Sequence, residues 1–223
     1  MKKAVVLLSG GLDSATTLYL AKAKGYDVCA LVFHYGQRHD KEVRRALAIA
    51  RRLDCPVQVL KIRLPWRGSV LLDRSKPLPQ GGKTTHGIPS TYVPARNTIF
   101  LSFALSYAES IGARRIFIGA NALDYSGYPD CRPRYYRAWQ GLARLATKSG
   151  VEGAPIRIET PLLHMKKSQI IRLGIKLGVP YQMTWSCYQG AARPCGRCDS
   201  CLLRAKGFKE AGVKDPLMAK RQR

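Results

Sequence analysis

Short apolar segments alternate with helix-like segments along the first 62 residues. Residues 3–8, residues 28–34 and Val57–Ile62 have the continuous apolar character of buried strands. Residues 14–24 and 39–53, which lie between them, have the composition and spacing of helices. Strands joined by helices in this order lie parallel in one sheet, because each helix carries the chain back to the same edge. The sequence therefore predicts an α/β fold with a doubly wound parallel sheet.

The alternation resumes after one long irregular segment. Residues 63–94 contain five prolines, and irregular segments of this length in a compact domain are usually functional or mobile. The elements expected beyond it are a helix at 95–111, a strand at Arg115–Gly119, a helix at 135–148, a strand at Ile156–Glu159, and helices at 167–177 and about 200–211. We expect residues 1–180 to form the α/β domain and residues 181–223 to form a small region packed on it.

A glycine-rich loop, Ser9–Thr16 (SGGLDSAT), lies between the first strand and the first helix. Gly10 and Gly11 allow backbone N–H groups to approach an anion closely, and the positive end of a helix starting near Ser14 faces the same place. Ser14 is also expected to cap that helix. Asp13 is unusual beside an anion unless a divalent cation bridges it to phosphates. The alternative is an ordinary glycine turn with an Asp–Ser cap.

This loop matches neither the Walker pattern nor the dinucleotide-binding glycine fingerprint. It resembles the pyrophosphate-binding loop (PP-loop) of the ATP pyrophosphatases, which cleave ATP between the α and β phosphates. That resemblance implies a doubly wound fold of the adenine nucleotide α-hydrolase type, and ATP and Mg²⁺ as cofactors. The residues that it assigns to ATP are Leu8, Ser9, Gly10, Gly11, Leu12, Asp13, Ser14, Ala15 and Thr16.

Four of the seven cysteines fall within 15 residues, as Cys187, Cys195, Cys198 and Cys201. Four thiolates at short spacing suit a closed, structural zinc site. An iron–sulfur cluster uses the same donors, and free thiols are the remaining alternative. A disulfide framework would spread its cysteines along the chain, so the cluster indicates a metal in a reducing compartment.

Basic residues greatly outnumber acidic ones, with 38 Lys and Arg against 14 Asp and Glu, for a net charge of +24. Such a charge attracts nucleotides, phosphates or nucleic acid, although a composition bias of the lineage would give the same number. The basic residues are spread along the chain, which weakens the case for nucleic acid. The apolar run after Met1 is too short for a signal peptide, and none approaches a membrane span. We expect a cytoplasmic protein.

Four longer strings narrow the family further: HYGQRHDKE (34–42), VPARNTIFLS (93–102), NALDYSGYPDCRP (121–133), and the cysteine-containing segment 184–208. Together with SGGLDS they resemble the 7-cyano-7-deazaguanine synthase (QueC) family, from residue 4 to about residue 208. The resemblance implies a ligase that converts 7-carboxy-7-deazaguanine and ammonia to the nitrile, using two ATP. Carboxylate and amide oxygens are adenylated in turn, in the precursor pathway of queuosine and archaeosine. It also implies a homodimer. No glutaminase domain is evident, so free ammonium is the simplest nitrogen source.

The resemblance assigns roles to residues outside the loop. Lys167 matches a lysine that neutralises phosphate charge, with Lys166 as its neighbour, and a solvated helix face is the alternative for both. Arg96 and Asn97 begin a buried helix, where we expect contact with ATP or substrate; a capping or salt-bridge role is the alternative. The residues expected to be catalytic are Asp13, Ser14, Lys167 and Arg96.

Two loops are expected to bind the deazaguanine, which offers a donor edge to carboxylates and a flat face to tyrosine. The second loop contributes Asp124, Tyr125, Ser126, Tyr128 and Asp130, and the segment after the second strand contributes Tyr35, Gln37 and Arg38. His39 is a candidate acid or base, with a surface or capping role as the alternative. Cys131 is expected to be structural, since the reaction needs no thiol.

Two other functions remain open from sequence alone. A PP-loop enzyme that modifies tRNA or protein would share the loop and the adenylation chemistry. Such tRNA enzymes usually carry an added RNA-binding domain or a pair of catalytic cysteines, and neither is evident. A basic, non-catalytic zinc module that binds RNA would leave SGGLDS unexplained. We therefore expect small-molecule substrates, no membrane contact and no obligatory nucleic acid.

Overall fold

The computed structural model describes residues 2–81, 87–121 and 127–218. Strands and helices alternate along it as β1 (Lys2–Leu7), α1 (Leu12–Ala23), β2 (Tyr26–His34), α2 (Lys41–Arg52), β3 (Val57–Lys61), α3 (Arg96–Ser110), β4 (Arg115–Phe117), α4 (Pro133–Leu145), α5 (Lys148–Val151), β5 (Arg157–Glu159), α6 (Lys167–Lys176) and α7 (Asp199–Ala211). Short 3-10 turns lie at Pro129–Cys131 and Tyr181–Met183.

The strands form one parallel sheet in the order β3-β2-β1-β4-β5. The chain builds the sheet outward from β1 to β3, crosses back over it, and continues on the other side with β4 and β5. β1 and β4 are neighbours in the sheet, and the loops that follow them therefore leave the same edge in opposite directions. Parallel α/β sheets bind ligands in the crevice at such a switch point, outside the carboxyl ends of the strands.

Alternate residues of β1 face opposite sides of the sheet, and both sides are covered by helices. Ala4 and Val6 join a buried cluster with residues of α1, α2, α6 and α7. Val5 and Leu7 join a second cluster with residues of α3 and α4. All four side chains are at most 8% exposed. This two-sided burial confirms the predicted doubly wound α/β fold.

Two predicted helix boundaries were wrong. α1 begins at Leu12 rather than near Ser14, because Gly11 is its N-cap. The helix predicted at 135–148 is divided into α4 and α5, because the Thr147 hydroxyl accepts a hydrogen bond from the Gly150 N–H (3.0 Å) and caps a new turn. The described parts of the segment 63–94 contain no helix or strand, as predicted; Gln80 makes an isolated bridge with Cys198.

None of the helices within the described ranges combines the length and the apolar character that crossing a membrane requires.

A buried arginine of α7 holds together the segment that follows α6. The Arg204 guanidinium donates to the carboxylate of Asp215 (2.6 and 2.9 Å), to the Thr184 hydroxyl (2.7 Å) and to the Tyr181 carbonyl (3.0 Å). The side chains of Arg204 and Asp215 are only 6% and 8% exposed. A charge this deeply buried needs its partner, because water cannot replace it.

We predict that Asp215→Asn destabilises the fold by about 3 kcal/mol, because it leaves the Arg204 charge buried without its carboxylate. Urea unfolding measures the change. Glu152→Gln is the matched control, since Glu152 belongs to an exposed ion pair with Lys148. We expect the control to change stability by less than about 0.5 kcal/mol. Equal effects of the two substitutions would contradict the anchoring role of Arg204.

Candidate active site at the switch point of the sheet

Gly10 sets the course of the loop after β1. Its φ is +82°, and a Cβ atom there would lie 2.2 Å from the Glu42 carbonyl oxygen and 2.8 Å from the Ala46 nitrogen. The backbone of α2 therefore passes where any side chain would stand. On its other side, the Gly10 carbonyl accepts a hydrogen bond from the Trp185 N–H (2.9 Å). Both the dihedral angle and the packing require glycine at this position.

The two serines of the loop contact each other. Their hydroxyl oxygens are 3.0 Å apart, and the Ser9 N–H donates to the Ser14 hydroxyl (3.2 Å). The Ser14 hydroxyl lies in the first turn of α1 and is 3.2 Å from the Gly11 carbonyl, so the prediction that Ser14 caps the helix was wrong. Both hydroxyls border the cavity described below and can turn toward a ligand.

Several predicted ATP-binding residues have side chains in the core. Leu12, Ala15 and Thr16 are at most 3% exposed, and the Thr16 hydroxyl donates to the Leu12 carbonyl (2.9 Å). They support the start of α1 from beneath. Leu8, Ser9, Gly11, Asp13 and Ser14 border the cavity instead.

Asp13 connects three separate segments at the switch point. Its Oδ2 atom lies 2.6 Å from the Lys167 ammonium of α6 and accepts from the Asn121 amide after β4 (3.2 Å). Its Oδ1 atom is buried and has no hydrogen-bond partner among the described residues. Such an oxygen suits a hard divalent cation. Lys166, by contrast, is exposed and is the N-cap of α6, so it is Lys167 that contacts Asp13 at the switch point.

A cavity of about 260 Å³ opens at the carboxyl ends of the central strands. It holds the loop residues named above and many of the predicted substrate residues. Those that border it are Tyr35, Gln37, Arg96, Asn97 and Tyr128; Phe33, Glu42, Phe100, Ile118, Gly119, Ala120 and Cys131 also do, without having been predicted as binding residues. The cavity thus joins the glycine-rich loop after β1 to an aromatic and basic wall.

Arg96 contributes positive charge to this wall. Its guanidinium donates to the Tyr35 hydroxyl (3.3 Å) and lies about 6 Å from the ring centres of Tyr35 and Phe100. Within the described ranges no carboxylate forms a salt bridge with it. Burial raises the pKa of Tyr35, so its hydroxyl stays protonated and neutral. Arg96 is therefore available to an anionic ligand.

Asn97 and Asp130 mainly hold the wall together. The Asp130 carboxylate accepts from the Asn97 N–H (3.0 Å) at the start of α3, and the Asp130 carbonyl accepts from the Asn97 amide (3.0 Å). The Asn97 amide also donates to the Cys131 sulfur (3.2 Å). Asp130 is buried and does not border the cavity, so the structure places it as a support rather than as a reader of the base.

Tyr128 and Gln37 face the cavity from opposite loops. The Tyr128 hydroxyl lies 2.8 Å from the Thr91 hydroxyl. The Gln37 side chain accepts from the Tyr35 N–H (2.8 Å) and so fixes the turn after β2. Asp124, Tyr125 and Ser126, the other predicted residues of the second loop, lie outside the described residues.

Arg38 and His39 lie apart from the cavity. The Arg38 guanidinium donates to the carbonyls of Val70 (2.8 Å) and Asp73 (2.8 Å), and also contacts that of Lys76. It organises the irregular segment and does not border this cavity. His39 Nε2 lies 3.1 Å from the Cys187 carbonyl, which places it against the cysteine segment and away from the cavity. The contact of His39 agrees with the alternative structural role that the sequence left open, and substrate binding by Arg38 stays a prediction without support from this cavity.

Glu42 is the acidic residue among the cavity residues that the sequence analysis did not predict. It lies in the first turn of α2, and burial raises its pKa to about 7, while the Coulomb attraction of Arg96 opposes the rise. It lies between the half-buried residues Lys41 and Val43, and no local pattern distinguishes it from other helix-start glutamates. The one available signal was its place at the end of the string HYGQRHDKE.

The four clustered cysteines converge on one point. The sulfur atoms of Cys187, Cys195, Cys198 and Cys201 all lie within 4.8 Å of one another, and Cys195 and Cys201 are 3.9 Å apart. Tetrahedral ligands of zinc, at about 2.3 Å from the metal, are about 3.8 Å apart. Backbone N–H groups of Gln189 and Cys195 lie 3.3 and 3.4 Å from the Cys187 sulfur, as in ligated thiolates. The donor set therefore fits a four-cysteine metal site.

Comparisons with known proteins place this geometry in a family. The family model described as "Queuosine biosynthesis protein QueC" matches residues 3–212. The 7-cyano-7-deazaguanine synthase of Nostoc punctiforme is 55% identical over 221 residues, covering 97% of this chain and 99% of the relative. The synthase of Acinetobacter baylyi is 57% identical over 217 residues, covering 96% and 93%.

Solved structures resemble the chain more distantly. NMN synthetase from Francisella tularensis superposes with a TM-score of 0.51 at 19% identity, covering 96% of this chain and 78% of that one. A predicted tRNA methyltransferase subunit from Methanocaldococcus jannaschii gives 0.50 at 14% identity, covering 100% and 94%. At these identities the likeness concerns the fold alone. The full-length match of the family model and of the curated relatives shows that the chain belongs to the QueC family of ATP-utilising, PP-loop ligases.

Proposed function

We propose that the protein converts 7-carboxy-7-deazaguanine and ammonia to 7-cyano-7-deazaguanine at the switch-point cavity, with cleavage of two ATP to AMP and pyrophosphate. The observation that carries this proposal is that one cavity is bordered by the glycine-rich loop Ser9–Thr16, which we call the phosphate loop, and by the wall that contains Arg96. A carboxylate resists attack by ammonia because it is negatively charged and has a poor leaving group. Adenylation removes the charge and supplies AMP as the leaving group.

The phosphate side of the cavity is formed by the loop after β1. The backbone around Gly10 and Gly11, the hydroxyls of Ser9 and Ser14, and the N-terminus of α1 offer donors to the ATP phosphates. Lys167 adds a positive charge beside them, held in place by Asp13. Stabilisation of the charge that develops on the departing pyrophosphate is the main contribution that such groups make.

Asp13 Oδ1 fits Mg²⁺, because it is a buried carboxylate oxygen without a hydrogen-bond partner in the described part of the chain. When bound, Mg²⁺ would neutralise phosphate charge at this position. Asp13 would thereby hold the cation with one oxygen and Lys167 with the other. Its contact with Asn121 fixes the carboxylate plane between the loops after β1 and β4.

Arg96 would bind the substrate carboxylate before adenylation. Its guanidinium is positioned by the Tyr35 hydroxyl and by the rings of Tyr35 and Phe100, and it faces the cavity without a carboxylate partner among the described residues. A planar guanidinium binds carboxylate oxygens at defined positions. Tyr128 and Phe100 offer flat faces to the deazaguanine ring. Asp124, Tyr125 and Ser126 stay predictions for its donor edge.

We extend the proposal to the setting in which the enzyme works. The division of the chain at residue 180, a cytoplasmic location, a homodimeric state, free ammonium as nitrogen source and independence from nucleic acid all stay predictions. Gel filtration with light scattering tests the dimer. Retention on RNA at about 0.15 M salt tests the last point, because non-specific binding of a basic protein weakens steeply with salt.

The proposed reaction is tested by one incubation. Purified protein is mixed with 7-carboxy-7-deazaguanine, ammonium, Mg²⁺ and ATP, and the base and the nucleotides are read by mass spectrometry. We expect the nitrile and two AMP for each nitrile formed, and no product from Asp13→Ala. AMP without nitrile would indicate that the enzyme adenylates another acceptor, such as tRNA or protein. ADP as the only nucleotide product would contradict the proposed cleavage.

Lys167→Ala is expected to lower kcat/KM for ATP by about 100-fold or more, because it removes a charge placed beside the phosphates. Lys166→Ala is the matched control, because Lys166 is the exposed neighbour on the same helix start. We expect it to stay within about twofold of wild type. Steady-state kinetics of nitrile formation compares them. A larger effect of the Lys166 substitution would reverse the assignment of the two lysines.

The cysteine site is proposed to hold structural zinc. Trp185 precedes Cys187 by two residues, donates through its indole to the Cys187 carbonyl (2.8 Å), and donates through its N–H to the Gly10 carbonyl. A metal that fixes this segment therefore also supports the phosphate loop. Four thiolate ligands leave zinc no open position, so it supplies folding energy rather than reaction chemistry.

We predict about one zinc per chain by elemental analysis, and its loss in Cys201→Ser. The same variant is expected to have a lower Tm and a raised KM for ATP, since the segment that supports Gly10 loosens. Thermal unfolding and steady-state kinetics measure these changes, and Cys29→Ser serves as the control outside the cluster. Iron with visible absorbance in place of zinc would indicate an iron–sulfur cluster instead. An unchanged KM for ATP would contradict the proposal that the metal site supports the phosphate loop.

A further inference from the structure

Among the described residues, Glu42 and Asp13 are the two carboxylates that border the cavity, and they differ in their contacts. Asp13 is held by Lys167 and Asn121. Within the described ranges the Glu42 carboxylate takes part in no hydrogen bond and no salt bridge, although its side chain borders the same cavity. The backbone of Glu42 is fixed, since its carbonyl packs against Gly10 of the phosphate loop. Glu42 thus borders the cavity with no hydrogen-bond or ion-pair partner for its carboxylate in the described part of the chain.

The surroundings of Glu42 set its proton affinity in a useful range. The titratable side chains that share the cavity with it are Asp13 on α1, Tyr35 after β2, Arg96 on α3, and Tyr128 and Cys131 near α4. Burial raises the pKa of Glu42 to about 7, and the attraction of Arg96 limits the rise. A base works best when its pKa lies close to the working pH, because it is then both ionised and able to hold a proton.

The proposed reaction needs a proton acceptor at the nitrogen. Ammonium is not a nucleophile, so it must lose a proton before its lone pair can attack the adenylated carbonyl carbon. The new C–N bond forms, the C–O bond to AMP breaks with its electron pair, and a second proton leaves the nitrogen to give the amide. In the second half, the adenylated amide loses its nitrogen protons while the C–O bond to AMP breaks, which forms the nitrile.

We propose that Glu42 is the general base of both halves of this reaction, accepting a proton from ammonium and later from the nitrogen of the adenylated amide. The proposal rests on the proposed function, because both steps follow adenylation. One base serves both steps, since the nitrogen occupies the same place in each. Between steps the proton passes from Glu42 to solvent through the cavity opening. Arg96, which borders the same cavity as Glu42, would hold the carboxyl group of the substrate near it.

Glu42→Gln separates this role from adenylation, because it preserves the shape of the side chain and removes the base. Exchange of labelled pyrophosphate into ATP, with 7-carboxy-7-deazaguanine but without ammonium, reports the first adenylation alone. We expect the exchange rate to stay within about threefold of wild type, and nitrile formation to fall by about 100-fold or more. The matched control is Glu152→Gln, at an exposed glutamate of α5, which should change neither rate.

The pH profile provides a second readout. In the wild type at saturating ammonium, kcat for nitrile formation should fall below about pH 7, as the carboxyl group becomes protonated. The Glu42→Gln variant should lack this acid limb. A structural role for Glu42 would lower the rate but leave the limb in place.

Thermal unfolding provides a third readout that is independent of activity. The folded-state pKa of Glu42 lies above its unfolded value, so the folded form binds the extra proton and this group's contribution to stability declines as pH rises from about 4.5 to 7. Glu42→Gln should therefore gain Tm relative to wild type as pH rises across this range. A structural contact through the carboxylate would give the opposite change.

The outcomes distinguish the two proposals. Normal exchange with a large loss of nitrile formation, and loss of the acid limb, supports Glu42 as the base. Nitrile formation within about threefold of wild type, or a parallel loss of exchange, overturns it. Absence of exchange in the wild type would overturn the proposed function, and the role of Glu42 with it.

Discussion

The ion pair between Asp13 and Lys167 is the interaction on which the arrangement of the site depends. Asp13 lies at the start of α1 and Lys167 at the start of α6, which are 154 residues apart in sequence. Asn121 joins them from the loop after β4. The sheet order brings these three segments to one edge, and the Asp13 carboxylate fixes their spacing. A lysine held in this way keeps its charge at the switch point instead of extending into solvent.

The backbone of α2 provides the second constraint. Its carbonyl at Glu42 and its N–H at Ala46 leave room for Gly10 only because that residue lacks a side chain. The same contact brings the first turn of α2, with Glu42, to the rim of the cavity. One close approach therefore shapes the phosphate loop and also places a second carboxylate beside it. Trp185, next to the cysteine segment, donates its N–H to the Gly10 carbonyl. Through this hydrogen bond the cysteine site, which is remote in sequence, supports the loop.

The parts that the sequence predicted are those in which local chemistry determines the outcome. The strands, most helix ends, the glycine loop and the four cysteines follow from short patterns. Lys167 followed from the family resemblance. Ser14 was misplaced as a cap because the hydrogen bond that defines the N-cap starts one turn earlier, at Gly11.

The parts that it missed depend on contacts between distant segments. Arg38 has the same charge whether it binds a ligand or the carbonyls of Val70 and Asp73, and only the fold distinguishes the two. Glu42 lies at the start of a helix with no distinctive local pattern, and only the fold brings it to the same cavity as Arg96 of α3. Asp130 became a support because Asn97 lies within reach of it.

The central claim is that one cavity activates two successive oxygens of the same substrate group by adenylation. It is tested most directly with 7-carboxy-7-deazaguanine that carries oxygen-18 in both carboxylate positions. The account predicts that each nitrile formed releases two AMP, each with one labelled phosphate oxygen, and that no label enters pyrophosphate. Label in pyrophosphate or inorganic phosphate, or only one labelled AMP for each nitrile, would contradict it.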